Sequence, residues 1–133
     1  MKHLKEGLIK QRGSVKITPK SLLQEYDIVQ MKNGEYLMYL SWDHAKSAGA
    51  TPGRKYEGQF LFVNCINGEV GYMPISDYDE ELNEKSSNWN INEIHRIINP
   101  GPDIRNNKVD YNHITNSNLK ALAKSECQLI WKR

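Results

Sequence analysis

Two Asn-Gly pairs constrain this chain more than any other feature of its sequence. Asn33-Gly34 and Asn67-Gly68 each separate two runs rich in Val, Ile, Leu, Met and aromatic residues. Asn-Gly between apolar runs is the strongest short-range hairpin signal, because both residues accept a positive φ at little cost. The flanking runs are 27–31, 35–40, 59–66 and 69–73. Two hairpins this close in sequence predict an antiparallel meander, which Pro74 should end because proline has no amide donor.

Shorter elements are predicted around these hairpins. Thr18 followed by Pro19 predicts one capped helical turn that reaches residue 24, and Ser117 predicts the cap of a helix over 118–124. β-Branched and apolar residues favour two further strands, over 91–98 and 127–131. The expected fold class is mainly β: a small antiparallel barrel or bent sheet of about five to seven strands, with one or two short helices.

The length of 133 residues predicts a single domain over residues 1–133. Residues 1–14 are expected to form an arm or a short helix, and the acidic stretch 76–87 suits a surface turn or an extended loop. Two long loops are expected, over 41–58 and 99–113. The first contains three glycines and a proline, and loops of that length in compact domains are usually functional or disordered.

The net charge does not indicate any one class of binding partner. Eighteen Lys and Arg against sixteen Asp and Glu give a net charge of +2, without the concentrated positive charge of a protein that coats nucleic acid. No apolar run approaches the ~20 residues of a membrane span, and residues 1–12 lack the apolar core of a signal peptide, so we expect a cytoplasmic protein. Cys65 and Cys127 lie in apolar stretches and are predicted to be buried free thiols.

The sequence contains no motif that predicts catalysis or a cofactor. The four histidines show none of the paired spacings of metal ligands, and the acidic residues of 77–84 lack the alternation and central glycine of an EF-hand. His44 beside Asp43 is the one pair that suggests acid–base chemistry, but a solvated loop histidine is the better interpretation, and His95 is expected to be structural. We therefore expect a protein that is not an enzyme, with no metal and no cofactor.

The two ends of the predicted loop 41–58 carry aromatic rings and cations toward one edge of the sheet. Rings stack on a base and cations neutralise phosphate, so these residues predict a site for a nucleotide-sized anionic ligand. The alternative is an exposed loop that binds a protein or nothing. The predicted ligand-binding residues are Trp42, His44, Lys46, Arg54, Lys55 and Tyr56. Trp131 is expected to pack on the sheet.

The order of several short segments resembles a group of small, mostly uncharacterised proteins with an SH3-like barrel, encoded by phages and prophages of Gram-positive bacteria. The segments that carry the resemblance are 26–29, 33–35, 36–40, 77–86, 94–97 and the closing Leu-Ile-Trp-Lys-Arg of 129–133. The two predicted long loops depart from the pattern. The resemblance implies an SH3-like fold, a phage origin and therefore the cytoplasm of a host cell, and it supplies no catalytic residues.

Three functions remain open on these grounds. The first is a non-enzymatic phage-type binding protein that sequesters a small anionic host ligand, for example a nucleotide signal of bacterial immunity, as a homo-oligomer. The second is an inhibitor that binds a host enzyme through the acidic residues 77–84 or through an edge of the barrel. The third is a module for single-stranded nucleic acid, which the low net charge disfavours.

Overall fold

A computed structural model describes residues 17–66, 69–85, 93–101, 119–121 and 128–133. The strands are β1 (Ile28–Met31), β2 (Tyr36–Ser41), β3 (Phe60–Ile66), β4 (Glu69–Pro74), β5 (Ile94–Asn99) and β6 (Gln128–Lys132). Within the described residues they form one open antiparallel sheet, in the order β4-β3-β2-β1-β5-β6. The prediction of a mainly β antiparallel fold is confirmed, and of its two forms the structure has the open sheet and not a closed barrel.

Both predicted hairpins are confirmed, but the first turn is built differently. Gly34 has φ +93° and its N–H donates to the Met31 carbonyl over 2.9 Å, whereas Asn33 keeps a negative φ. The Asn33 side chain instead accepts a hydrogen bond from the Glu35 N–H over 3.0 Å. The turn is therefore a three-residue loop that ends in a left-handed glycine. In the second hairpin β3 pairs with β4 up to the ends of both strands, and its turn lies outside the described residues.

Short helices begin where the sequence places a capping residue. Helix α1 (Pro19–Leu22) has Thr18 as its N-cap, with the reciprocal bonds of a capping box between Thr18 and Ser21, which confirms the predicted helical turn. Residues 119–121 are helical and Leu119 is buried, in agreement with the helix predicted there; the rest of that helix lies outside the described residues. The predictions for residues 1–14 and for most of 99–113 also concern residues outside the described part of the chain.

The prediction of a long loop over 41–58 is wrong. This segment contains helix α2 (Trp42–Ser47) and the 3-10 helix η1 (Arg54–Tyr56). The Ser41 hydroxyl caps α2 by accepting from the His44 N–H, and Gly49, at φ +97°, ends it with an N–H bond to the Lys46 carbonyl. The small residues are not linker residues: they let the segment approach the sheet closely, and three of them are buried, Ala45, Ala48 and Ala50.

Both faces of the sheet are buried. Successive residues of the central strands point to opposite faces, and the residues on both faces are apolar. One face, here called the helix face, is covered by residues 42–57, the helical cover; its core includes Ile28, Met38, Leu40, Leu61 and Val63. The opposite turn face is covered by residues 75–85, the turn cover; its core includes Val29, Leu37, Phe62 and Ile97. The prediction of a surface turn over 76–87 missed that Tyr78 and Leu82 are fully buried in this second core.

The structure tests several predictions about single residues. Cys65 is a buried free cysteine as predicted, and burial raises the pKa of its thiol; Cys127 lies outside the described residues. Trp131 packs against the core of the turn face, as expected. His95 sits where the register between β1 and β5 shifts, so it is the extra residue of a bulge. No helix in the described part of the chain is long and apolar enough to cross a membrane.

Candidate functional site

The helical cover brings four of the six predicted ligand-binding residues into two cation–aromatic pairs. Trp42 opens α2 and Lys46 follows one turn later, which places Lys46 Nζ 4.0 Å from the centroid of the Trp42 ring. Lys55 and Tyr56 are adjacent in η1, with Lys55 Nζ 5.0 Å from the Tyr56 ring. We call these four residues the cation–aromatic surface.

Both rings of the cation–aromatic surface are anchored on the same core. Trp42 and Tyr56 are half-buried and pack against the helix-face cluster. Tyr56 also meets Tyr72 of β4 edge to face, with ring centroids 5.9 Å apart. The lysine side chains lie outside and are exposed to solvent. Half-buried rings beneath exposed ammonium groups thus place positive charge next to aromatic faces on this surface.

Arg54 is exposed at the start of η1, and its side chain makes no hydrogen bond or ion pair in the described part of the chain. It adds a third positive charge beside Lys55. Two acidic residues lie on the same cover: Asp43 in the first turn of α2 and Glu57 after η1. The helical cover therefore has mixed charge and is not a uniformly basic patch.

His44 is not part of the cation–aromatic surface, and the interpretation as a solvated loop histidine is wrong. Its Nδ1 lies 2.7 Å from Glu25 Oε2 and 3.3 Å from the Tyr26 hydroxyl. Glu25 Oε2 also accepts the Ser41 N–H over 2.6 Å, so this carboxylate ties the end of β2 to α2. Burial alone would raise the pKa of Glu25, but the hydrogen bonds from Ser41 and His44 outweigh it and lower that pKa.

Tyr26 reaches His44 through an unusual backbone. Its φ is +74°, in the left-handed region that residues with a Cβ rarely adopt. The backbone around it is held by two bonds across to β2: the Tyr26 N–H donates to the Tyr39 carbonyl over 2.7 Å, and the Tyr39 N–H donates to the Asp27 carbonyl over 2.8 Å. The tyrosine ring lies beside the imidazole of His44, with centroids 5.6 Å apart and the ring planes tilted by 33°.

A cleft of about 300 Å³ opens beside the cation–aromatic surface. Its lining residues are Ser41, Trp42, Asp43, Glu57, Gly58, Gln59 and Phe60. Of the six predicted ligand-binding residues only Trp42 lines it. The indole Nε1 of Trp42 and the Oε1 of Gln59 are both buried without a hydrogen-bond partner among the described residues. The lining of the cleft thus includes two aromatic residues, Trp42 and Phe60, and two carboxylates, Asp43 and Glu57.

Sequence reasoning missed Glu25 and Tyr26 entirely. Both precede β1 in the chain and meet α2 only because β1 and β2 pair, so no local pattern connects them to His44. The helix that carries His44 did have a signal: Ser41 as a cap, Asp43 in the first turn and alanines at helical spacing. The glycines and the proline of 41–58 indicated a loop instead.

The described residues contain no group of three His, Cys, Asp or Glu side chains placed to hold a metal ion. Comparison with known proteins found no match to a family model, to a curated protein or to a solved structure.

Proposed function

We propose that this chain is a non-enzymatic binding protein that takes a small, nucleotide-like anion on the cation–aromatic surface. The observation that carries the proposal is the pair of lysines, each held over an aromatic ring that is anchored on one core. Ammonium groups at fixed positions bind phosphate oxygens with charge-assisted hydrogen bonds. Arg54 adds a planar, two-pronged donor to the same cover.

The mixed charge of the helical cover favours a small ligand over a nucleic-acid strand. A strand would bring successive phosphates past Asp43 and Glu57, and these carboxylates would repel them. A single nucleotide instead has both kinds of group: phosphates for the lysines, and hydroxyl or amino donors that carboxylates accept. Trp42, which lines the cleft, offers an aromatic ring on which a planar base can stack.

The biological part of the proposal rests on the resemblance to phage and prophage proteins. A phage protein that holds a nucleotide without consuming it lowers the free concentration of that nucleotide in the host cytoplasm. If the nucleotide is a signal of bacterial immunity, the protein acts as a counter-defence sponge. We propose a homo-oligomer for this role, because a second copy can close a cleft that one copy leaves open.

The test is calorimetric titration with a panel of mononucleotides and cyclic dinucleotides. The double variant Lys46→Ala/Lys55→Ala should weaken binding at least about tenfold, since charge-assisted hydrogen bonds contribute ~1.5–3 kcal/mol each. Lys32→Ala is the matched control, because Lys32 is an exposed lysine in the turn between β1 and β2, away from the helical cover. Absence of binding by every nucleotide, or an equal loss in the control, contradicts the proposal.

A second candidate function is inhibition of a host enzyme through the turn cover. Asp77, Glu80 and Glu81 are exposed there, while the backbone beneath them is fixed by the burial of Tyr78 and Leu82. A rigid acidic surface is a suitable binding surface for a basic protein. Affinity capture from a host lysate distinguishes the two: Asp77→Asn/Glu81→Gln should release a protein partner, and Lys46→Ala/Lys55→Ala should retain it.

A further inference from the structure

A second, separate groove lies on the turn face at the end of the sheet near the first hairpin turn. It has a volume of about 220 Å³ and is lined by Met31, Asn33, Glu35, Leu37, Asn64, Gly71, Tyr72 and Met73. We call it the Glu35 groove. Glu35, Asn64 and Gly71 share the turn face with Leu37 and Met73, because residues alternate along paired strands. None of these residues belongs to the helical cover.

One end of the Glu35 groove is polar and fixed in place. The Asn33 amide donates to Glu35 Oε1 over 2.7 Å, and the Asn64 amide donates to Glu35 Oε2. The carboxylate is therefore held between two neutral amides. In the described part of the chain no lysine, arginine or histidine forms an ion pair with it. Among the described residues, the negative charge of Glu35 is oriented by amides and not compensated by a cation.

Asn64 lines the same end of the groove and holds the Glu35 carboxylate in place. Its amide nitrogen is committed to Glu35, so the direction of the side chain is fixed and its Oδ1 cannot exchange places with the nitrogen. That Oδ1 is buried and has no hydrogen-bond partner among the described residues. Because this oxygen is closed off from solvent, a ligand in the groove meets the Glu35 carboxylate and not Asn64 Oδ1.

The other walls of the groove are apolar. Met31 and Leu37 are buried at its base, and Met73 lies half-buried beside them. Gly71 leaves the space above Asn64 open, since it has no side chain and sits in the strand between Val70 and Tyr72. The volume is below the ~300–1,000 Å³ of drug-sized pockets, so a short chain fits and a nucleotide does not.

We propose that the Glu35 groove binds an alkylammonium ligand: a primary ammonium head on a short apolar stem. The ammonium has three N–H donors and a positive charge, which match the Glu35 carboxylate at the polar end of the groove. The stem lies against the methionine and leucine walls, and methionine side chains adapt readily to such ligands. The site is independent of the cation–aromatic surface, whose ligand has the opposite charge.

The methionines provide the measurement. With ¹³C-labelled methionine methyl groups, titration with n-butylammonium chloride should shift the NMR signals of Met31 and Met73 in a saturable way. Met38 packs on the helix face and is the internal control, so its signal should stay in place. n-Butanol has the same stem without the charge, and it should bind at least about tenfold more weakly.

Two variants test the two halves of the site. Glu35→Gln removes the charge and should weaken n-butylammonium binding at least about tenfold. Gly71→Val should abolish binding because it fills the groove; a Cβ at Gly71 meets its nearest atom, the Asn64 carbonyl oxygen, at an ordinary 3.7 Å, and an unchanged urea midpoint checks that the variant folds. Lys46→Ala/Lys55→Ala should leave binding unchanged. Equal shifts at Met38, equal affinity for n-butanol, or binding that survives Gly71→Val would overturn the proposal.

Discussion

The two covers of the sheet differ in the size of the side chains that they bury fully, although Trp42 and Tyr56 of the helical cover are also half-buried on the sheet. The helical cover places three alanines against the helix face, whereas the turn cover places the whole side chains of Tyr78 and Leu82 into the turn face. Small residues bring a helix close to the sheet but contribute little apolar area each. Large residues anchor a segment that has almost no regular structure. The difference shows that a segment need not be helical to bury large apolar side chains against the sheet.

The covers also differ in what holds their backbones. Arg133 donates to the carbonyls of Glu81 and Leu82, over 2.7 and 3.1 Å, and the Lys85 N–H donates to the Asp77 carbonyl over 2.8 Å. The turn cover is thus tied internally and to the end of β6. The helical cover is tied mainly at its start, through Ser41 and the carboxylate of Glu25. The turn cover should therefore determine stability, and the helical cover should tolerate changes to its exposed side chains.

The largest effect should come from removing the leucine of the turn cover. Leu82→Ala deletes a fully buried side chain, so we expect the free energy of unfolding to fall by about 2–5 kcal/mol in urea denaturation. Leu82 has φ +62°, where glycine is favoured over alanine. Leu82→Gly should therefore be about 1 kcal/mol less destabilising than Leu82→Ala. The reverse order would show that the backbone at this position carries no strain.

A smaller effect is expected from overfilling the helical cover. Ala45 is fully buried against the sheet, so Ala45→Leu should displace α2 and destabilise the protein by about 1–3 kcal/mol. Ser47→Leu places the same side chain on the exposed side of the same helix, and should change the urea midpoint little. If both variants behave alike, α2 does not pack as closely as the buried alanines indicate.

Sequence reasoning predicted the sheet better than its covers. The hairpins follow from local signals, because Asn-Gly turns and apolar runs act over a few residues. The burial of Leu82 had no such signal: it stands alone in an acidic stretch, and it is buried because β5 and β6 bring other parts of the chain around it. Alanine, serine and glycine were similarly ambiguous in 41–58, since they suit a linker and a closely packed helix equally well.

The candidate site likewise contains local contacts that the sequence indicates and long-range contacts that it does not. The pairing of Lys46 with Trp42 is a local helical spacing, and Lys55 is adjacent to Tyr56, so their residue types were visible in the sequence. The contact of His44 with Glu25 joins residues nineteen apart, and it depends on the pairing of β1 with β2. No single-sequence pattern predicts a contact of that kind.

The smallest expected effect concerns the pH dependence of stability. It tests whether Glu25 attaches the start of the helical cover to the sheet. Hydrogen bonds from Ser41 and His44 lower the pKa of Glu25 against the opposing effect of burial. A carboxyl group with a lowered pKa in the folded state stabilises the fold above its unfolded pKa of about 4.3, and that contribution is lost as the pH falls through the folded value. As the pH is lowered from about 5 to about 3, the urea midpoint should therefore fall by more in the natural chain than in Glu25→Gln. Glu57→Gln, an exposed change in the same cover, should keep the fall seen in the natural chain. An equal fall in Glu25→Gln would mean that this carboxylate does not stabilise the start of the helical cover.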